Sequence, residues 1–123
     1  MKVLVVDTSP EVGKRFAEII LETAGIEVAA AVPGTQGFDE RLLEFRPDVV
    51  VVDVQMPEAA GLDLIRKLKG SSRSPVVIAV SSLSTLPYRI RCHEAGAAFF
   101  FDKVKDQEKL VEAIAAVSRE LEG

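Results

Sequence analysis

The 123-residue sequence contains one cysteine, one tyrosine and no tryptophan. With Cys92 as its only thiol, the chain cannot form an internal disulfide. The spacing of its single cysteine and single histidine also fits no structural zinc site. A disulfide framework, a zinc fold and a dithiol redox centre are therefore excluded.

The chain also has no excess of basic residues and no long hydrophobic run. Fifteen Lys and Arg stand against 19 Asp and Glu, for a net charge of −4, which argues against nucleic acid or an anionic membrane as a direct partner. The first apolar run, Val3–Val6, stops at Asp7 and is too short for a signal peptide or a membrane span. The length suits one domain, residues 1–123, with no output domain. These features predict a cytoplasmic globular protein.

Short apolar runs predict five strands. Four are continuous, as expected of strands that are covered on both faces of a parallel sheet. The fifth, Ile26–Val32, is apolar at alternate positions with Glu27 turned outward, which suits a partly exposed edge strand. The four continuous runs are Val3–Val6, Asp48–Val52, Val76–Val80 and Phe99–Phe101.

Helical patterns separate the strands. Ser9 is the predicted N-cap of the first helix, with Pro10 at its first position and Gly25 at its end. Asp106 is the predicted N-cap of the last helix. The second to fifth helices are marked by apolar residues, which are, in order, Phe38, Leu42 and Phe45; Leu64, Ile65 and Leu68 before Gly70; Leu86 and Ile90 before Gly96; and Leu110, Ile114, Val117 and Leu121.

The resulting order, βαβαβαβαβα, predicts a doubly wound α/β fold with helices on both faces of one parallel sheet. Sites in such sheets form beyond the carboxyl ends of the strands. Polar residues stand at four of these ends: Asp7, Asp53, Ser81 and Lys103. Asp102 precedes Lys103, and the alternation of a strand predicts that it points away from the site.

The chain resembles the receiver domains of two-component response regulators, and most of all their single-domain, chemotaxis-regulator-like members. The matching motifs are Val3-Leu4-Val5-Val6-Asp7; Asp53-Val54-Gln55-Met56-Pro57 with Gly61; Ser81; and Ala95-Gly96-Ala97 leading to Lys103. The resemblance implies a flavodoxin-like, three-layer α/β/α fold with strand order 2-1-3-4-5. It also implies a phosphorelay protein that accepts a phosphoryl group on Asp53 from a histidine kinase or phosphotransfer protein, and is no turnover enzyme.

The resemblance also implies roles for individual residues. Lys103 and Ser81 would contact phosphoryl oxygens, and Ser81 with Phe100 would form a switch that alters a surface of the fourth helix, fifth strand and fifth helix for a downstream protein. Gln55 and Leu83 would set the lifetime of the phosphoryl group. Magnesium would be held by Asp7, Asp53 and the backbone carbonyl of Gln55.

Two positions depart from the family pattern. Thr8 stands where the family has a second acid, usually the one bound directly to the metal, so Mg²⁺ binding is expected to be weakened. Val104 follows Lys103, where many relatives have a cis-proline.

Two other functions are compatible with parts of the pattern. Thr8 fits a degenerate receiver that binds proteins independently of phosphorylation, although the retained Asp53, Ser81 and Lys103 argue against it. A flavodoxin-like flavin protein is disfavoured by the absence of Trp and the single Tyr. A P-loop nucleotide hydrolase is excluded because no Gly-x-x-x-x-Gly-Lys-Ser/Thr motif occurs.

Overall fold

A computed structural model describes residues 1–23, 25–34, 38–56, 59–72 and 74–122 of the chain. Five strands alternate with five helices, as the sequence predicts. The elements are β1 (Lys2–Val6), α1 (Pro10–Leu21), β2 (Val28–Val32), α2 (Phe38–Phe45), β3 (Val49–Asp53), α3 (Ala60–Lys69), β4 (Val76–Ser81), α4 (Leu86–Ala95), β5 (Phe99–Asp102) and α5 (Gln107–Glu122). No helix in the described ranges has both the length and the apolar composition needed to cross a membrane.

The strands form one parallel sheet in the order β2-β1-β3-β4-β5, which confirms the flavodoxin-like topology. The register aligns the carboxyl ends of the central strands. Val6 lies beside Val32 on one side and Val52 on the other, while Ser81 lies beside Asp102. The residues that follow or close β1, β3, β4 and β5 therefore meet at one edge of the sheet.

Two apolar cores lie on opposite faces of the sheet and make the predicted three layers. One face packs against α1 and α5, through Phe16 and Ile20 of α1 and Ile114 of α5. The other packs against α2, α3 and α4, through residues such as Phe38 and Ile65. Each core takes alternate residues of the same buried strands, so runs such as Val49–Val52 are apolar at every position.

Local sequence signals fix the helix positions that matter for the site. The Ser9 hydroxyl accepts a hydrogen bond from the Val12 amide at 3.4 Å, which confirms Ser9 as the N-cap of α1, two residues after Asp7. A β-carbon at Gly61 would lie 2.6 Å from the Val54 Cα, so only glycine lets α3 pack this closely on the loop after β3.

Several predicted details differ in the structure. Helix α1 ends at Leu21, before Gly25, because the amides of Glu22 and Thr23 bond three residues back and tighten the last turn. Strand β2 starts at Val28, since the Ile26 amide bonds the Thr23 carbonyl in the preceding turn.

Two helices do not bury all of the apolar residues that mark them in the sequence. In α4, Leu86 and Ile90 face outward, at 68% and 47% exposure, and the buried positions are Cys92 and Ala95. In α5, Leu110, Ile114 and Val117 are buried as predicted, but Leu121 in the last turn is 61% exposed. Asp106 directly precedes α5, yet its carboxylate accepts the Asp102 amide.

Candidate functional site

Two carboxylates lie side by side at the carboxyl edge of the sheet. Asp7 directly follows β1 and Asp53 ends β3, and both are almost fully buried because the flanking strands and loops cover them. One oxygen of each accepts a local backbone bond: Asp7 Oδ1 from the Ser9 amide at 2.8 Å, and Asp53 Oδ1 from the Gln55 amide at 3.0 Å. These bonds orient the second oxygens, and a buried carboxylate requires a further partner there.

Lys103 provides that partner for both carboxylates. Its Nζ lies 2.6 Å from Asp53 Oδ2 and 2.8 Å from Asp7 Oδ2. Burial by itself would lower the pKa of Lys103, but hydrogen bonding and the negative charge of Asp53 and Asp7 outweigh it and raise the pKa. The lysine is therefore a permanent cation at neutral pH.

Ser81 lies beside this ion-pair cluster at the end of β4. Its side chain is buried, and its Oγ accepts the Leu83 amide at 2.9 Å. The Lys103 amide donates to the Ser81 carbonyl at 2.9 Å, so the backbone ties these two positions together. Leu83 itself is 55% exposed at the mouth of the site. The structure thus gathers Asp7, Asp53, Ser81 and Lys103 at one edge.

Gln55 spans the mouth from the β3–α3 loop to the β4–α4 loop. Its backbone holds Asp53, as described above, and its side-chain Oε1 accepts the Ser82 amide at 2.7 Å. Pro57, the last residue of the Asp53-Val54-Gln55-Met56-Pro57 motif, lies outside the described residues. The bond between Gln55 Oε1 and the Ser82 amide was not expected from the sequence.

Among the described residues, the site contains some of the oxygen ligands that a hard cation such as Mg²⁺ needs, but not a full set. Asp7 Oδ2 is buried and receives no well-angled hydrogen bond from any described residue, so its charge is balanced by the Lys103 ammonium. That oxygen, the Asp53 carboxylate and the Gln55 carbonyl are ligand types that Mg²⁺ accepts. Thr8 is exposed. Within the described ranges, no three His, Cys, Asp or Glu side chains form a metal cluster.

Phe100 is buried on the α4 side of β5. Its ring forms a T-shaped pair with that of Tyr88 at a centroid distance of 6.2 Å, and the Arg89 guanidinium lies 4.9 Å from the Phe100 centroid. The Tyr88 hydroxyl donates to the Val54 carbonyl at 3.2 Å. Through Tyr88, α4 therefore contacts both Phe100 and the residue next to Asp53.

Asp102 has a local structural role. Asp102 is a buried residue, and its Oδ1 accepts the amides of Val104 and Lys105, each at 2.9 Å, and so shapes the turn that follows Lys103. Hydrogen bonds from these two amides, with a smaller contribution from the Ser84 hydroxyl, lower the pKa of Asp102. No peptide bond in the described ranges is cis, so the bond between Lys103 and Val104 is trans.

The chain matches a known family over nearly its whole length. The sequence model described as "Response regulator receiver domain" matches residues 3–115. The chain belongs to the response regulator receiver family. Receiver domains act in two-component signalling with histidine kinases, typically bind Mg²⁺, and typically have no enzymatic activity beyond their own phosphorylation.

Individual relatives agree with the receiver assignment. The chain is 32% identical to "Response regulator GacA" of Pseudomonas aeruginosa over 117 residues, covering 95% of the chain but only 55% of that protein. It is 30% identical to "Chemotaxis protein CheY" of Thermotoga maritima, covering 96% of the chain and 98% of that protein. The chain thus spans about half of GacA and nearly all of that CheY.

A solved receiver structure has the same fold. The BeF3-activated N-terminal receiver domain of Klebsiella pneumoniae RstA superposes with a TM-score of 0.84 at 24% identity, covering 97% of this chain and 99% of that one. At this identity the likeness supports the fold alone.

Proposed function

We propose that this receiver domain accepts a phosphoryl group on Asp53 from a histidine kinase or a phosphotransfer protein. The observation that carries the proposal is the contact of one ammonium, Lys103 Nζ, with Asp53 Oδ2 at 2.6 Å and Asp7 Oδ2 at 2.8 Å. An anionic nucleophile can attack an anionic phosphoryl donor only where positive charge offsets their repulsion. Lys103 holds that charge at the carboxylate.

In the proposed step, an Asp53 carboxylate oxygen attacks phosphorus in line with the donor nitrogen. An O–P bond forms and the P–N bond breaks, with its electron pair going to the imidazole nitrogen, which takes up a proton from solvent. Asp53 becomes an acyl phosphate. Lys103 then follows the negative charge onto a phosphoryl oxygen, and the Ser81 hydroxyl donates to another.

Magnesium, when bound, would supply a divalent positive charge beside the phosphoryl oxygens. Asp7, Asp53 and the Gln55 carbonyl would hold it. Thr8 adds no charge to the site. We therefore expect the affinity of the domain for Mg²⁺ to be lower by about 1 to 3 kcal/mol, or roughly tenfold to a hundredfold, than it would be with an acid at this position.

The output surface is proposed on α4, β5 and α5, where a downstream protein would bind. Leu86, Ile90 and Phe99 expose apolar surface there. Beneath this surface, the buried ring of Phe100 on β5 contacts Tyr88 of α4. Movement of Ser81 and Phe100 on phosphorylation would therefore shift α4. Amide chemical-shift changes on phosphorylation should extend along α4; changes confined to the loops around Asp53 would contradict this assignment.

The phosphoacceptor role is tested by intact mass after incubation with acetyl phosphate, with and without Mg²⁺. The chains compared are the unmodified protein, Asp53→Asn and Thr8→Asp. Gain of one phosphoryl mass that is absent in Asp53→Asn supports the proposal. Failure in the unmodified chain with recovery in Thr8→Asp places the defect in metal binding. Failure in both overturns the proposal and favours the second candidate, a degenerate receiver with phosphorylation-independent contacts, which the missing acid at Thr8 would explain.

A further inference from the structure

Strand β2 is an open edge of the sheet. It pairs with β1 on one side, and no described strand pairs with its other side. Natural proteins commonly block such edges with charged residues or proline, but Val28–Val32 contains neither. Val28 is 40% exposed, and the three alanines of the strand are partly exposed. The backbone of this edge is therefore accessible to a further strand.

The ridge of α1 that borders this edge is apolar at both ends and charged in the middle. A groove of about 420 Å³ lies between α1 and β2, and Pro10, Lys14, Glu18 and Leu21 are among the residues that line its helix side. Leu21 is 48% exposed. Lys14 and Glu18 are also exposed, and neither forms an ion pair within the described part of the chain. Residues three and four positions apart are neighbours on a helix, so these four side chains form one continuous ridge.

The register between α1 and β2 shows where the middle of this ridge lies. A β-carbon at Gly13 would be 3.4 Å from that of Ala31, so these two residues lie level with each other. Helix α1 runs antiparallel to β2 because it connects two parallel strands. One residue of strand advances about 3.3 Å and one residue of helix about 1.5 Å, so Ala30 lies level with the helix about two residues beyond Gly13. The centre of β2 therefore falls between Lys14 and Glu18.

We propose that the edge formed by α1 and β2 binds a second copy of this chain about a two-fold axis that passes through Ala30, normal to the sheet. The two β2 strands pair antiparallel and join the sheets, with both α1 helices on the same face. Because the axis lies between Lys14 and Glu18, it brings Lys14 of each copy to Glu18 of the other. It likewise brings Leu21 of each copy to Pro10 of the other. Opposite charges and apolar side chains meet along the ridge, and this self-complementarity favours a second copy as the occupant.

The interface is small and separate from the phosphoryl chemistry. It consists of one five-residue strand and one helix ridge from each copy, so we expect a dissociation constant of about 1 to 100 µM. Strands β2 and β5 are opposite edges of the sheet. The proposed output surface on α4, β5 and α5 therefore stays accessible in the dimer.

Charge reversal tests the proposal, with sedimentation velocity of the full chain at concentrations that bracket the expected dissociation constant. Lys14→Glu leaves two acid–acid contacts in a homodimer, and Glu18→Lys leaves two lysine–lysine contacts. Each variant alone should raise the dissociation constant by about tenfold at low salt. An equimolar mixture of the two variants should dimerise as the unmodified chain does, because one variant then offers only acidic side chains to the basic side chains of the other.

A matched pair of apolar substitutions locates the interface. Leu21→Lys should weaken the dimer by at least about tenfold, whereas Ile90→Lys on α4, where the side chain is 47% exposed, should leave it unchanged. A chain that stays monomeric at the highest concentration would overturn the proposal and leave the open edge to an extended segment of another protein. A dimer that charge reversal leaves intact, that the mixture does not restore, or that only Ile90→Lys breaks would equally overturn it.

Discussion

Replacing Lys103 by methionine tests whether one cation stabilises the two buried carboxylates. The substitution keeps most of the aliphatic stem but removes the charge that contacts Asp7 Oδ2 and Asp53 Oδ2. Removing one partner of a buried ion pair costs about 3 to 5 kcal/mol, chiefly because a charge is left uncompensated. Since the lysine side chain is 16% exposed, some of that charge is screened, and we expect the free energy of unfolding to fall by about 2 to 4 kcal/mol.

The assay is urea denaturation at neutral pH, repeated with Mg²⁺. Lys109→Met is the matched control, because that lysine is 70% exposed and lies 3.8 Å from the carboxylate of Asp106. It should change the free energy of unfolding by less than about 0.5 kcal/mol. Mg²⁺ should stabilise Lys103→Met more than the unmodified chain, since a cation then replaces the lost ammonium. A Lys103→Met chain as stable as the control would refute the reasoning.

The raised pKa of Lys103 adds a dependence on pH to the same comparison. A lysine whose pKa is higher in the folded state contributes its full stabilisation below its ordinary pKa of 10.5 and loses it as the pH rises through the folded value. The difference in the free energy of unfolding between the unmodified chain and Lys103→Met should therefore stay constant from neutral pH to the ordinary lysine pKa of 10.5 and shrink at higher pH. A difference that shrinks on the way from pH 7 to pH 9 would contradict the ion-pair account.

Three further substitutions probe the surroundings of the site. Gly61→Ala forces a β-carbon against Val54 and should cost about 1 to 3 kcal/mol in urea denaturation, whereas Gly70→Ala, whose β-carbon would meet nothing closer than 3.5 Å, should cost less. Tyr88→Phe removes the 3.2 Å bond to the Val54 carbonyl and should lower stability by about 0.5 to 1.5 kcal/mol; no loss in thermal denaturation would mean that water replaces the hydroxyl. Asp102→Asn should make stability fall less steeply as the pH is lowered. The pKa of Asp102 is lower in the folded state, so its carboxylate stabilises the fold at pH values above its ordinary pKa, and that contribution is lost as the pH falls through the folded-state pKa. Equal slopes of stability against pH for the two chains would contradict this assignment.

The strands and the residues at their ends could be predicted because both follow from local sequence. A strand that is buried on both faces must be apolar at every position, so runs such as Val49–Val52 are unambiguous, and the register of a parallel sheet then brings Asp53 and Lys103 to the same edge. The same logic fails in α4. There Leu86 and Ile90 mark the helix in the sequence, but the buried positions are Cys92 and Ala95.

Details of the loops could not be predicted, because they depend on contacts between segments far apart in sequence. The bond between Gln55 and Ser82 joins residues 27 positions apart and needs the conformations of two loops. Asp102 was predicted to point away from the site, but nothing in the sequence distinguishes a surface carboxylate from one that holds the amides of Val104 and Lys105. The side-chain partner of Asp106 was missed for the same reason.

The origin of the three charges along the chain has a consequence for folding. Asp7 and Asp53 come from the first half of the chain, whereas the lysine that neutralises them follows the last strand. A partly folded sheet of β1 and β3 would therefore bury two negative charges without a counterion until β5 docks. We expect the domain to fold in one cooperative transition, because docking of the last strand brings Lys103 to the two buried carboxylates and neutralises them.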